Sequence, residues 1–145
     1  MKQVLLSAVF LAATLAPALA GPLEPYRWNA RPLLVFAPDL AGRDVTRQLA
    51  TFDAAMAGLE TRDMAVLLVL ASRTRPSMLS GQPKPGAGNA ALRAAYGIDP
   101  GAFAVILVGK DGDEKNRWTH AIDPAEIFDQ VDGMPMRMRE MRTGG

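Results

Sequence analysis

Three short runs of uninterrupted apolar side chains limit what this chain can fold into. They are PLLVFA at 32–37, MAVLLVL at 64–70 and FAVILV at 103–108. None alternates with polar residues as a strand with one wet face would, and each has the length of a strand. Each therefore reads as a strand buried on both faces. Between the first two the period changes. Val45, Leu49, Phe52, Met56 and Leu59 recur every three or four residues and make one apolar helical stripe. Asp44 suits its N-cap, and Arg47, Gln48 and Asp53 fall on the solvated side. Strand, helix, strand at this spacing is a βαβ unit, with parallel strands and a right-handed crossover.

Residues 71–88, with Pro76, Pro83, Pro85 and three glycines, read as a loop. Asn89 is placed to cap a short helix over 90–96, which Gly97 closes in the left-handed conformation. Asp99-Pro100-Gly101 makes a turn before the third apolar run. That run feeds an Asp111-Gly112 hairpin turn of type I′, and 115–121 return as a polar edge strand. The last helix opens on Asp123 as N-cap, with Pro124 at its first position and Glu126 at its third. It turns Ile127, Phe128 and Val131 toward a core and stops at Gly133. The lead-in, 21–31, supplies Tyr26 and Trp28 to pack on the domain. The order βαβ, short helix, ββα predicts an α/β fold. It is that of a thioredoxin-like three-layer sandwich with a mixed sheet of about four strands, spanning 21–142 and leaving 143–145 as a disordered end.

The first twenty residues are set apart by composition. Lys2 is a minimal positive start, 4–15 is an apolar core, and Ala18-Leu19-Ala20 supplies small residues for cleavage before Gly21. A signal peptide directing the chain to the periplasm or outside the cell is the reading that fits. A retained membrane anchor competes, but the run is short for a span of about 20 residues. Without Lys2, the 16 Lys and Arg fall to 15 and match the 15 Asp and Glu. A formally neutral chain offers no long-range field for nucleic acid or acidic lipid. The partner expected is a protein or a small molecule, with no membrane attachment after cleavage and no cofactor. The chain has no cysteine, which excludes thiol chemistry and any cysteine-held metal.

Trp28 with Arg31 and LLVFAP, then FAVILVGKDGDEK, then IDPAEIFDQVDGMPMRMREM carry a resemblance. Over about residues 23–142 the chain resembles a small domain of unknown function found in exported bacterial proteins. A related domain occurs in extracellular sushi-repeat-containing (SRPX-type) vertebrate proteins. The resemblance implies a thioredoxin-like fold without its redox cysteines. It implies no reaction and no catalytic positions.

In redox-active thioredoxin folds the reactive pair opens the helix after the first strand, where the helix dipole favours a thiolate. The matching residues here run from Pro38 to Arg43. They include Asp39 and Arg43 as candidate binding groups, since helix N-termini favour anions and Arg43 adds charge, while Asp39 and Asp44 oppose it. Pro100 lies two or three residues early for the cis-proline that such folds often place before the third strand. His120, the only histidine, shares a side of the return strand with Trp118 and Asn116. It is the one residue on which a cysteine-independent peroxide-handling or hydrolytic activity would depend, although Ser72, Ser77 and Ser80 all lie near the loop and no G-x-S-x-G is present.

Asp111, Asp113 and Glu114 suggest calcium, but the later ligand positions hold Lys115, Arg117 and Ile122. The G-x-G-x-x-A at 86–91 follows a Pro-rich loop and not a strand, so it fails as a dinucleotide motif. The tail interleaves Met134, Met136, Met138 and Met141 with Arg137, Arg139 and Arg142. Three readings stay open for it. Thioethers suit Cu(I), which the guanidinium groups would repel. Flexible Met and planar Arg suit a partner surface, with Arg137 and Arg139 as candidate binding groups. The plainest reading has methionines covering an apolar edge while arginines pair with Asp129, Asp132 and Glu140. The function expected is that of an exported binding or interaction module without thiol redox activity.

Overall fold

The computed structural model describes residues 21–81 and 86–144; the signal segment read at 1–20 lies outside them. Five strands, β1 (Arg31–Ala37), β2 (Met64–Leu70), β3 (Ser77–Ser80), β4 (Ala104–Val108) and β5 (Glu114–Trp118), form one sheet. Their order is β3-β2-β1-β4-β5. β1 and β2 are parallel, from Arg31 opposite Met64 to Ala37 opposite Leu70. The other three pairings are antiparallel. The three apolar runs are thus the three central strands.

Period-two alternation sends each of these strands to two cores at once. Leu33, Val35, Val66, Leu68, Val105 and Leu107 face α1 (Arg43–Ala54), α2 (Met56–Thr61) and α4 (Pro124–Asp132), meeting Val45, Phe52, Leu59, Ile127 and Val131. Leu34, Phe36, Leu67, Val69 and Ile106 face α3 (Asn89–Tyr96) and a 3-10 turn at Glu24–Tyr26, meeting Leu92, Leu23 and Tyr26. The three layers expected from the sequence are present.

The fifth strand, β3, lies within the segment read as a loop. Its four half-buried residues, SMLS, carry too little pattern to announce a strand. It forms because β2, apolar on both faces, would otherwise leave a row of backbone groups unpaired at the sheet edge. Tyr26 adds a tie to it, its hydroxyl donating to Met78 Sδ at 3.3 Å. Burial pushes that hydroxyl's pKa up to about 12. Gly81, at φ 85°, then turns the chain away where any Cβ would meet Ala65 Cα at 2.8 Å.

Several local expectations are corrected. The single helix of the βαβ unit breaks at Ala55 into α1 and α2, and Gly42, not Asp44, is the N-cap. Asp44 instead accepts the Ala121 N–H at 3.3 Å. Gln48 is not solvated but 0% exposed. It sits three residues after Val45 and four before Phe52, on the core face, and its amide is satisfied twice by Ile122. It accepts that residue's N–H at 2.8 Å and donates to its carbonyl at 2.9 Å.

Asn89 is a buried first residue of α3, capped by Gly88. Its Nδ2 donates to the Leu70, Arg73 and Arg75 carbonyls and ties down the chain after β2. At the hairpin only Gly112 has positive φ (91°), and Gly109 N–H donates to the Asp113 carbonyl. The loop therefore has three residues, whereas a type I′ turn would need Asp111 positive as well. Tyr26 is buried as expected, but Trp28 is 60% exposed and left-handed at φ 64°. β5 ends at Trp118, so His120 lies beyond it in an exposed bend. The Met/Arg tail is a helix, α5 (Pro135–Thr143), which runs one residue past the domain end read at 142.

Candidate functional site

The antiparallel register of β1 with β4, Phe36 opposite Ala104 and Leu33 opposite Leu107, defines two ends of the sheet. Asp39 and Arg43 lie at the end where β1 leads into α1. Every residue from 38 to 43 is exposed there. Asp39 Oδ1 accepts the Ala41 N–H at 2.8 Å, and Thr46 Oγ1 donates to the Gly42 carbonyl at 2.8 Å, so the loop's polar groups close on each other. Arg43 forms no ion pair among the described residues. The loop lines none of the cavities described below.

The opposite end is built from charge. Arg31 is the first residue of β1, directly before a run buried on both faces, and that position leaves it only 1% exposed. Its Nη1 donates to the Arg62 carbonyl at 2.9 Å and to Glu140 Oε2 at 3.2 Å, while Nη2 donates to Glu140 Oε1 at 3.0 Å. This is the two-pronged geometry in which guanidinium and carboxylate bind best. Lys110, carried in by the β4–β5 hairpin, donates to the same Glu140 Oε1 at 2.7 Å and to Asp63 Oδ2 at 2.8 Å. Burial acts to raise the pKa of Glu140, but hydrogen bonds from Arg31 and Lys110, and their charges, outweigh it and hold the group below its ordinary value.

A second fork runs from Arg62 to Asp132, at 3.0 and 2.8 Å. The Arg62 guanidinium also lies over the Phe128 ring at 4.1 Å. The hydrogen bond from Arg62 and the nearby Arg62 and Arg137 charges hold Asp132 low against the effect of burial. Arg137 reaches Asp132 at 3.4 Å and Glu140 at 3.6 Å. Ion pairs are accordingly what fasten α5, which buries none of its residues.

Between α5, the end of α4 and the hairpin lies a cavity of about 620 Å³, a size that suits a small ligand. Arg31 and Lys110 form its inner wall, Met134 and Met136 its apolar side, and Lys115 and Arg139 are among its outer residues. Two other hollows differ in kind. One of about 650 Å³ lies among Pro25, Ala91 and Ala95, and one of about 420 Å³ lies between α1 and α4. Neither has a buried charge in its wall.

Of the residues singled out by sequence, Arg137 and Arg139 thus reach this end, Arg137 bound in ion pairs and Arg139 beside the cavity. Asp39 and Arg43 stand at the other end and do not join them. Arg31, Lys110, Glu140, Arg62 and Asp132 emerge as one network only in three dimensions. One signal was available for Arg31, because a charged residue abutting a doubly buried strand must itself be largely buried. His120 makes no side-chain hydrogen bond among the described residues. The four tail methionines have different surroundings: Met134 packs on the core, Met136 borders the cavity, and Met138 and Met141 are exposed. Asp111 is tied to Lys115 at 2.7 Å as part of the turn. Among the described residues no three His, Asp or Glu side chains are grouped to hold a metal ion. No helix among them is long and apolar enough to cross a membrane.

Comparison with known proteins agrees with this architecture. A family model described as a domain of unknown function (DUF4174) matches residues 22–140. The human sushi repeat-containing protein SRPX is 28% identical over 123 residues, 84% of this chain and 26% of that protein. Rat SRPX2 is 24% identical over the same shares. The chain spans about a quarter of the length of these relatives. Among solved structures, reduced 2-Cys peroxiredoxin from Plasmodium vivax aligns with a TM-score of 0.57 at 17% identity, over 81% of this chain and 84% of that one. Thioredoxin peroxidase I from Plasmodium yoelii gives 0.56 at 14%, over 85% and 81%. At such identities the likeness is one of fold alone. Matched from the turn before β1 to Glu140 in α5, the chain belongs to the DUF4174 family of domains of unknown function, as a cysteine-free thioredoxin-like domain related to the SRPX proteins.

Proposed function

We propose that the chain is an exported binding module that engages a protein or small-molecule partner through the cavity between α5 and the β4–β5 hairpin. One observation carries this reading: Arg31, a charged residue only 1% exposed, lies in the wall of a 620 Å³ cavity. A buried charge costs several kcal/mol of desolvation that an apolar residue of similar volume would avoid. A binding role accounts for its presence there, and the flexible Met134 and Met136 beside it suit an adaptable contact. Export is supported by the composition of residues 1–20. The cysteine-independent enzyme and Cu(I) readings draw no support from the positions of His120 or the four methionines.

Two measurements test the proposal. Mass spectrometry of the protein recovered from the periplasm or medium of a bacterial host should find a chain beginning at Gly21. A chain retained in the cytoplasm with Met1 in place would contradict export. A small-molecule fragment screen read by NMR should give shifts at Gly109, Met134 and Met136. Hits clustering at 38–43 would move the site to the other end of the sheet.

A further inference from the structure

Two residues of the cavity wall, Arg31 and Lys110, already hold a carboxylate, and that indicates what else would fit, granting the binding reading above. The Arg31 fork and the Lys110 ammonium converge on the two oxygens of one carboxylate, that of Glu140. This is a carboxylate receptor filled by the chain's own side chain. The occupant is loosely mounted. Glu140 is 25% exposed, on a helix that buries no residue and has Met138 and Met141 in solvent. The two cations are the fixed half of the arrangement, one in β1 and the other 9% exposed at the hairpin.

We infer that the cavity takes a ligand bearing a single carboxylate next to an apolar group, which replaces Glu140 on Arg31 and Lys110 and releases α5. Exchanging one carboxylate for another keeps the buried guanidinium neutralised, whereas a neutral or cationic ligand that displaced Glu140 would strand it. The apolar group is received by Met134 and Met136, whose unbranched side chains adjust to its shape. Asp111 and Lys115, also on the cavity wall, already neutralise each other at 2.7 Å, and Asp129 and Arg139 add one charge of each sign, so the pair that receives the single carboxylate is Arg31 and Lys110. The acid is either a free small molecule or the C-terminus of a chain, both presenting the same group.

The test uses the whole protein with its methionine methyl groups labelled, so that Met64 in the core serves as reference for Met134, Met136, Met138 and Met141. It is titrated with N-acetyl-leucine, with N-acetyl-leucine amide, and with a pentapeptide ending in Met-Leu as free acid or amide. The acids should shift Met134 and Met136 and move Met138 and Met141 toward solvent values, and the amides should not. Response to N-acetyl-leucine indicates a small acid, and response to the free-acid peptide alone indicates a chain terminus. Glu140→Gln removes the tethered competitor and should tighten acid binding by about tenfold, as expected when a self-occluded state is abolished. Lys110→Met should weaken it in the otherwise unchanged protein, which keeps the test available should Glu140→Gln fail to fold. Amides binding at Met134 and Met136 as tightly as acids would overturn the carboxylate inference and leave the cavity as a binding site. The absence of any response there, to these compounds or to the fragment set, would remove both.

Discussion

Where β1 runs into α1, the chain from 38 to 43 is exposed residue by residue, and its side-chain hydrogen bonds close within the loop or the first turn of the helix. Where β1 begins, two arginines and a lysine bind three carboxylates contributed by α4, α5 and the turn before β2. The first of these ends is where thioredoxin-like folds that exchange disulfides hold their sulfur, and in this chain it has none. The scaffold has kept its layers while its densest polar chemistry lies at the opposite end of the sheet. An exposed helix N-terminus favours an anion by only about 0.3–1 kcal/mol. Arg31 and Lys110, by contrast, hold a helix that buries none of its residues.

The sharpest way to break the comparison is at Arg31. Arg31→Met removes the buried two-pronged partner of Glu140 and leaves the Arg62 carbonyl without its donor, while Lys110 still holds the carboxylate, and should cost about 1.5–3 kcal/mol in urea unfolding. A loss under 1 kcal/mol would mean the network is surface decoration. Next in size is Gln48→Ala, which strands the Ile122 N–H and carbonyl and should cost about 1–3 kcal/mol. Because that residue holds the segment after β5, an effect as large as that of Arg31 would show that polar burial matters equally at both ends.

Acid should loosen the charged end. Glu140 and Asp132 are held below their ordinary values of 4.5 and 3.8. Their ion pairs therefore stabilise the fold fully above those values and lose that effect as pH falls through the lowered ones. Each partly exposed pair should contribute no more than about 1 kcal/mol. α5 should thus loosen in acid, seen as Met138 and Met141 methyl signals moving before that of Met64. Simultaneous movement of all three would make α5 part of the global unfolding unit. Smallest of all, Asp39→Ala and Arg43→Ala should each change stability by less than about 0.5 kcal/mol, as exposed positions do. A larger loss in thermal melts would restore the 38–43 loop to importance.

How much of this could be read in advance follows a physical line. PLLVFA, MAVLLVL and FAVILV announced central strands because burial on both faces leaves no polar position to confuse the pattern. β3 was missed because four residues such as SMLS carry no period and owe their strand conformation to β2. Gln48 was misplaced because hydrophobicity cannot show that a polar amide will meet a backbone N–H and carbonyl 74 residues away. The tail arginines have pairing with Asp129, Asp132 and Glu140 as their plainest reading; Arg137 pairs with the last two, while Asp129 forms no ion pair among the described residues. Arg139 stands beside the cavity instead, which local sequence had no means to show.

Sequence by itself determined the layers, the parallel pairing of β1 with β2 and the loss of thiol chemistry. Each of these depends on local period or on the mere presence of an atom type. Only the tertiary structure decided which end of the sheet carries the charge, since Arg31 and Glu140 are 109 residues apart and nothing in either neighbourhood specifies the other. Their meeting depends on where α5 comes to rest, and α5 rests where Arg31 and Lys110 offer its carboxylate a counter-charge.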